Sequence, residues 1–285
     1  MSVLSDLSDS VAALAETTGA RVLAIRHPEG RQSSGFVWRT GLAVMAEETL
    51  EGEEEVEAIL PDGRVVTAKI AGRDPTTDVA LLELETGAFD DWSQAAPPRA
   101  GSFALVAGRT DVSLAARLAS IVSVGPQWQS RRGGKIDARI TLDQRLSRRS
   151  EGGVVVAPDG TLVGMAVTAA GGRAIVIPTT TIAGSVATLA EKGYVPRAWL
   201  GVALHPLADG KGAVILSVEP ESPAANAGLL VGDVVTTWDG EMIASFGAMA
   251  NRIAGSTVGT KVKLGVSRGG SASEFDIAIG ERPRR

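Results

Sequence analysis

Cysteine is absent from these 285 residues, and histidine occurs only twice, at His27 and His205. Without a thiol there is no disulfide, no zinc-thiolate centre and no thiol nucleophile. Two imidazoles are too few for a histidine-rich metal site. The missing thiols say nothing about compartment, because cysteine-free proteins occur on both sides of a membrane. Aromatic residues make up only 4% of the chain, so small and branched aliphatics must fill the interior. No run of about 18 consecutive apolar residues occurs, which excludes a membrane-spanning helix. Positive charge is not in excess either: 28 Lys and Arg stand against 33 Asp and Glu, a net charge of -5. That balance gives no electrostatic reason for nucleic-acid binding. The first ten residues carry acids where a secretion signal has lysine or arginine, and Glu16 interrupts the apolar residues that follow. This predicts a soluble cytoplasmic protein.

What is present points to strands. The 44% hydrophobic content and 34 glycines suit many short β-segments joined by tight turns. Leu4, Leu7, Val11, Leu14 and Ala15 recur at helical spacing, and Ser2 or Ser5 can cap the start, which predicts a helix over 3–17 that docks on the domain after it. From Arg21 onward the β-prone runs are 22–25, 35–38, 42–45, 56–60, 65–70 and 79–84. After Pro97-Pro98 come 103–107, 115–124, 138–142, 154–156, 162–167 and 174–177. Twelve strands are the number needed for two small barrels packed together. A helix over 179–192 then closes the region, stopped by Gly193 and followed by Pro196.

Several segments carry a resemblance. Leu60-Pro61-Asp62-Gly63-Arg64 and Gly72-Arg73-Asp74-Pro75-Thr76-Thr77-Asp78-Val79-Ala80-Leu81-Leu82, then Ala174 to Pro178 leading through to Arg197-Ala198-Trp199-Leu200-Gly201-Val202, resemble the trypsin-like domain of the HtrA/Deg family and its junction with a PDZ module. The resemblance covers nearly the whole chain. It implies a mainly β fold: an N-terminal helix (1–20), a trypsin-like double β-barrel (21–195), a PDZ domain (196–280) and a tail (281–285) expected to be disordered.

By the same resemblance Asp78 stands at the triad aspartate, Glu48 at the histidine and Glu151, in Arg148-Arg149-Ser150-Glu151-Gly152-Gly153, at the serine. The order Glu48, Asp78, Glu151 keeps the order that double-barrel proteases use. A glutamate side chain is already an anion and a poor attacker of an amide, and Arg149 takes a place where glycine-like backbone angles are needed. The expectation is therefore a protein that is not an enzyme: a pseudoprotease acting as adaptor, scaffold or chaperone-like binder, with no catalytic residue. His27, beside a turn, and His205, in the PDZ-like region, are read as solvated or locally hydrogen-bonded. Ser150 is the remaining candidate nucleophile for the competing class, a serine endopeptidase with a non-standard site. Three converging carboxylates would repel, and the expected relief is an arginine, Arg148 or Arg149, ahead of protonation or a divalent cation. No metal and no cofactor are expected, a carboxylate cation site being the third class.

Two charge runs receive solvated readings. The acids Glu47, Glu48, Glu51, Glu53, Glu54, Glu55 and Glu57 read as a loop and helical turn that could steer a basic partner segment, and Arg131, Arg132, Lys135 and Arg139 read as a flexible hairpin tip. In the PDZ-like region, Leu200, Gly201 and Val202 are implied to receive a peptide carboxylate in their N–H groups, and Met249 and Ile253 to wall the groove. The expected partners are protein or peptide C-termini or exposed segments, with no nucleic acid and no membrane. Family trimers are built through aromatic residues near the N-terminus, and this chain has none before Phe36, so the oligomeric state stays open.

Overall fold

The computed structural model describes residues 2–169, 171–207 and 212–283. The chain divides into two compact units, Met1–Ser130 with Lys135–Val195, and Pro196–Arg285 with Arg131–Gly134.

The first unit opens with α1 (Val3–Gly19), capped by Ser2, whose Oγ accepts from the Ser5 N–H. Val11, Leu14 and Ala15 pack on the core, while Val3, Leu4 and Leu7 remain exposed. Six strands then close a barrel: β1 (Val22–Arg26), β2 (Gln32–Arg39), β3 (Leu42–Ala46), β4 (Glu55–Ile59), β5 (Val65–Asp74) and β6 (Val79–Glu83), in the order β1-β2-β3-β6-β5-β4. A second closed barrel uses Phe103–Arg109, Leu114–Gly125, Arg139–Arg145, Val154–Val156, Leu162–Thr168 and Arg173–Pro178. Closure leaves no sheet edge to protect.

Continuous apolar runs in β1, β3 and β6 follow from burial on both faces. Leu23, Ile25, Ala43, Met45, Ala80 and Leu82 fill the first barrel. Their alternating neighbours Val22, Val44 and Leu81 join Leu105, Val154 and Met165 of the second barrel in a shared core. A half-solvated strand would alternate; these cannot. Helix α2 (Thr179–Lys192) adds Ile182, Val186 and Leu189 to that core and stops at Gly193 in the left-handed conformation.

Three expectations about charged segments need correction. Glu55 and Glu57 lie in β4, since alternation with buried Val56 and Ala58 outweighs their polarity. Glu47 is buried and receives the Arg73 guanidinium at 3.0 and 2.8 Å, so it is no solvated loop acid. Arg139 belongs to a barrel strand and lies 5.2 Å over the Trp128 ring, at the base of the hairpin formed by Trp128–Gln129 and Lys135–Ile136 and not at its tip.

The second unit is a five-stranded antiparallel sheet, Val202–Pro206, Ala213–Val218, Val234–Trp238, Lys261–Arg268 and Ser271–Ala278, with the short pair Glu241–Met242 attached. Helices Pro223–Asn226 and Phe246–Gly255 accompany it around a separate core that includes Leu200, Ile215, Val235 and Leu264. The expected disordered tail is corrected in part: Gly280–Glu281 pairs with Ala198–Trp199, and the Arg282 N–H donates to Arg197 O. Residues 284 and 285 lie outside the described residues.

Candidate functional site

Each carboxylate of the candidate site is set by its own local structure. Asp74, almost fully buried, accepts hydrogen bonds from Thr76 N–H (3.0 Å), Thr76 Oγ1 (2.5 Å), Thr77 Oγ1 (2.5 Å) and Ser185 Oγ (2.8 Å). These bonds fold the turn between β5 and β6 and bring Asp78 to a left-handed φ of 61°, a conformation that aspartate tolerates better than most residues. Asp78 then pulls in the turn after β3: its carbonyl accepts from Glu47 N–H and its Oδ1 from Glu48 N–H at 2.7 Å. Glu151 follows a single helical turn at Arg148–Ser150 and hands its carbonyl to Ser34 N–H at 2.8 Å. Its carboxylate is held by Thr168, with N–H at 2.6 Å and Oγ1 at 2.5 Å.

Carboxylate oxygens of Glu48, Asp78 and Glu151 come within 4.8 Å of one another. Burial pushes the Asp78 carboxyl well above its ordinary range, and the nearby charges of Glu48, Glu151 and Glu47 add to this against the Glu48 N–H bond. Burial also raises Glu151, opposed by the two Thr168 donors and aided by Glu48. Burial and the neighbouring charges therefore both favour proton uptake by Asp78 and Glu151. The expected arginine does not relieve the repulsion: Arg148 and Arg149 are exposed and make no ion pair or side-chain hydrogen bond among the described residues. Three oxygen donors suit a hard cation in kind. Both Glu151 oxygens and Asp78 Oδ1 are, however, already occupied by protein donors.

The loop before Glu151 also differs from its expected form. Arg149 does not take a positive φ, because Ser150 N–H and Glu151 N–H donate to Ser147 O and Arg148 O within the turn. Ser150 Oγ lies 3.0 Å from Ser147 Oγ, with no imidazole as a base. His27 is elsewhere, 4% exposed, with Nε2 at 2.7 Å from Ser33 Oγ and Nδ1 at 3.7 Å from Glu53 Oε1. That chain of groups has the connectivity of a catalytic triad, yet Ser33 is 2% exposed, which closes its hydroxyl to a substrate.

Burial lowers His27 from its ordinary 6.5, Glu53 opposing and Arg31 assisting. A depressed imidazole favours the fold above the unfolded value and loses that contribution as pH falls from 6.5 towards the folded one. NMR titration should place the His27 midpoint below 6.5. Glu53→Gln should lower it further, since the carboxylate supports the charged form. A midpoint that rises in this variant would contradict the pairing.

In the second unit, Leu200 is buried, Gly201 has φ 78°, and Val202–Pro206 is the edge strand of its sheet, unpaired on one side among the described strands. Gly201 is required there, because a Cβ would overlap Ser222. Ile253 is partly exposed. Met249 is a correction: it has no exposed surface and packs in the core with Leu200, since its position on the helix faces the sheet. The open edge, which sequence periodicity cannot reveal, depends on which strands pair.

Comparison with known proteins matches a trypsin-like peptidase domain at residues 33–165 and a PDZ domain at 198–279. The probable periplasmic serine endoprotease DegP-like of Brucella suis is 29% identical over 276 residues, 88% of this chain and 53% of the relative. Its counterpart from Bartonella henselae is 30% identical over 271 residues, with the same coverage. The periplasmic pH-dependent serine endoprotease DegQ of Escherichia coli is 28% identical over 249 residues, 79% of this chain and 54% of the relative. The chain thus spans about half the length of these curated relatives. Among solved structures, the HtrA-type protease AlgW with decapeptide aligns at a TM-score of 0.73 and 24% identity, over 96% of this chain and 99% of that one. A serine endoprotease from Yersinia pestis aligns at 0.74 and 20% identity, over 95% and 98%. Both show the fold.

These names overturn two expectations. A protein that is not an enzyme is contradicted by relatives named serine endoproteases; that expectation rested on the side chains at two positions. A cytoplasmic protein is contradicted by relatives named periplasmic; composition carries no mark of the compartment.

Proposed function

We propose, from the premise that the chain belongs to the HtrA family, that it is a periplasmic endopeptidase whose PDZ domain captures protein or peptide ends and whose cleavage centre is built from carboxylates. The observation that carries this reading is the convergence of Glu48, Asp78 and Glu151 within 4.8 Å on a trypsin-like fold. Close carboxylates of raised proton affinity divide into one protonated and one ionised group, the arrangement that lets water attack an amide. The ionised carboxylate takes a proton from water as its oxygen bonds to the carbonyl carbon. The protonated carboxyl donates to the carbonyl oxygen, giving a diol; the former base then passes its proton to the amide nitrogen as the C–N bond breaks, and the other carboxylate takes back a proton from a diol hydroxyl as the carbonyl re-forms. Such chemistry does not draw on the N–H groups of Ser150 and Glu151, which the loop uses for its own turn.

Peptide capture is supported by the edge strand Val202–Pro206 and the backbone of Leu200, Gly201 and Val202, which together suit strand addition and carboxylate binding. The relatives' names support the periplasmic location.

Casein and fluorogenic peptides assayed between pH 4 and 8 should be cleaved faster on the acidic side. Glu151→Gln should reduce kcat by about 100-fold or more, and Ser150→Ala should leave it within about twofold. Turnover that survives Glu151→Gln and vanishes in Ser150→Ala would replace this centre by a serine one. Absence of turnover at every pH would end the peptidase reading and leave peptide capture standing.

A further inference from the structure

Beside the turn before Glu151 lies a cavity of about 450 Å³ lined by Ala115 and by the basic and hydroxyl-bearing residues Arg109, Thr110, Ser147, Arg148, Arg149 and Ser150. Its three guanidinium groups are not equivalent. Arg109 is half-buried and committed to the fold, donating from Nε to Val22 O at 2.7 Å and from NH2 to Gly19 O at 2.8 Å. Arg148 and Arg149 are exposed and unpaired among the described residues, in a chain of net charge -5. Two adjacent cations without an acid partner, backed by a third that is fixed and by two serine hydroxyls, form a receptor for a carboxylate.

We propose that this cavity binds an acidic side chain of the peptide segment lying in the cleft, so that the protein selects segments carrying aspartate or glutamate close to the bond presented to Glu48, Asp78 and Glu151. The position supports this source over a free anion. Ser150 lines the cavity and Glu151, its neighbour along the chain, belongs to the carboxylate cluster. The two sites have opposite charge. A peptide acid is repelled by the cluster and attracted by the arginines, which fixes the register of the bound segment. The inference rests on the reading of the cleft as a peptide site, and its test does not depend on hydrolysis.

Two fluorescent peptides of equal length, amidated at the C-terminus to keep them from the PDZ groove, would differ only in a Glu-Asp pair replaced by Gln-Asn. Their binding to the full chain would be followed by anisotropy at low salt in a Glu151→Gln background, which separates binding from turnover. The acidic peptide should bind about tenfold tighter, and added salt should erase the difference. Arg148→Gln with Arg149→Gln should bind both peptides equally while melting at the same temperature, since neither side chain supports the fold. A parent protein that does not discriminate, or a double variant that still does, overturns the proposal. So does competition in which inorganic phosphate binds through these arginines while the acidic peptide gains nothing, which marks a free-anion site. An unreactive protein that nevertheless passes this test would defeat the peptidase reading alone.

Discussion

Asp78→Asn is expected to stabilise the chain at neutral pH by on the order of 3.5 kcal/mol, the repulsion of one ionised pair within 4.8 Å at an effective dielectric of about 20. For a domain of this size that is roughly 7–14 °C in Tm. Asparagine keeps the oxygen that accepts from Glu48 N–H and tolerates the left-handed φ of 61°, so the charge is what changes. The pH dependence carries the sign. Asp78 has a folded-state proton affinity raised above its unfolded value of 3.8, so between those two values the folded protein holds more protons than the unfolded one. Stability therefore falls as pH rises through that window and is level above it. Glu151, raised from 4.5, acts in the same direction, while depressed His27 acts in the opposite one. The advantage of Asp78→Asn over the parent should be absent near pH 3.8, grow with pH and then level off. Urea titrations across pH 4–8 would reveal this, and a difference independent of pH would mean that the fold does not raise the proton affinity of Asp78. In the peptidase assay the same variant should lose turnover, a gain in stability at the expense of function.

A larger loss is expected from Gly152→Ala. Gly152 has φ 79°, and a Cβ there would overlap Ser34 O and stand 2.9 Å from Ala46 N. Neither neighbour can withdraw. Ser34 N–H is bonded to Glu151 O, Gly152 N–H to Ala166 O, and Ala46 lies in β3 against β6. Strained backbone and overlap with main chain together should destabilise the first unit by about 3–5 kcal/mol, measurable as a fall in the urea midpoint. Gly63→Ala is the control: its φ is 86°, but nothing lies within 4 Å of the added carbon, so only the backbone preference of about 1 kcal/mol is lost. Equal losses at the two positions would refute the close approach of the loop to β2 and β3.

Much of this architecture was legible in one dimension. The twelve β-prone runs and the helix over 179–192 were visible because periodicity and turn residues are local properties. Boundaries moved where tertiary pairing extended a strand, as in Val65–Asp74, or where burial of alternate residues drew Glu55 and Glu57 into one. Site partners were harder to read. The placement of Glu48, Asp78 and Glu151 could be inferred through resemblance, but the choice of Thr168 and proton uptake over Arg148 or Arg149 could not. It depends on which groups the loop turn points outward, and a string of residues does not fix that direction.

The sequence by itself determined the mainly β character and the strands of two barrels, because hydrophobic spacing is carried residue by residue, and its resemblance to the HtrA/Deg family implied the PDZ domain and an acid at each of three triad positions. Only the tertiary structure decided that those acids meet within 4.8 Å, that Met249 belongs to the core, and that two arginines beside the site stay unpaired among the described residues. Each of these depends on contacts between segments distant along the chain, where closure of the barrels and packing of one sheet on another set the distances.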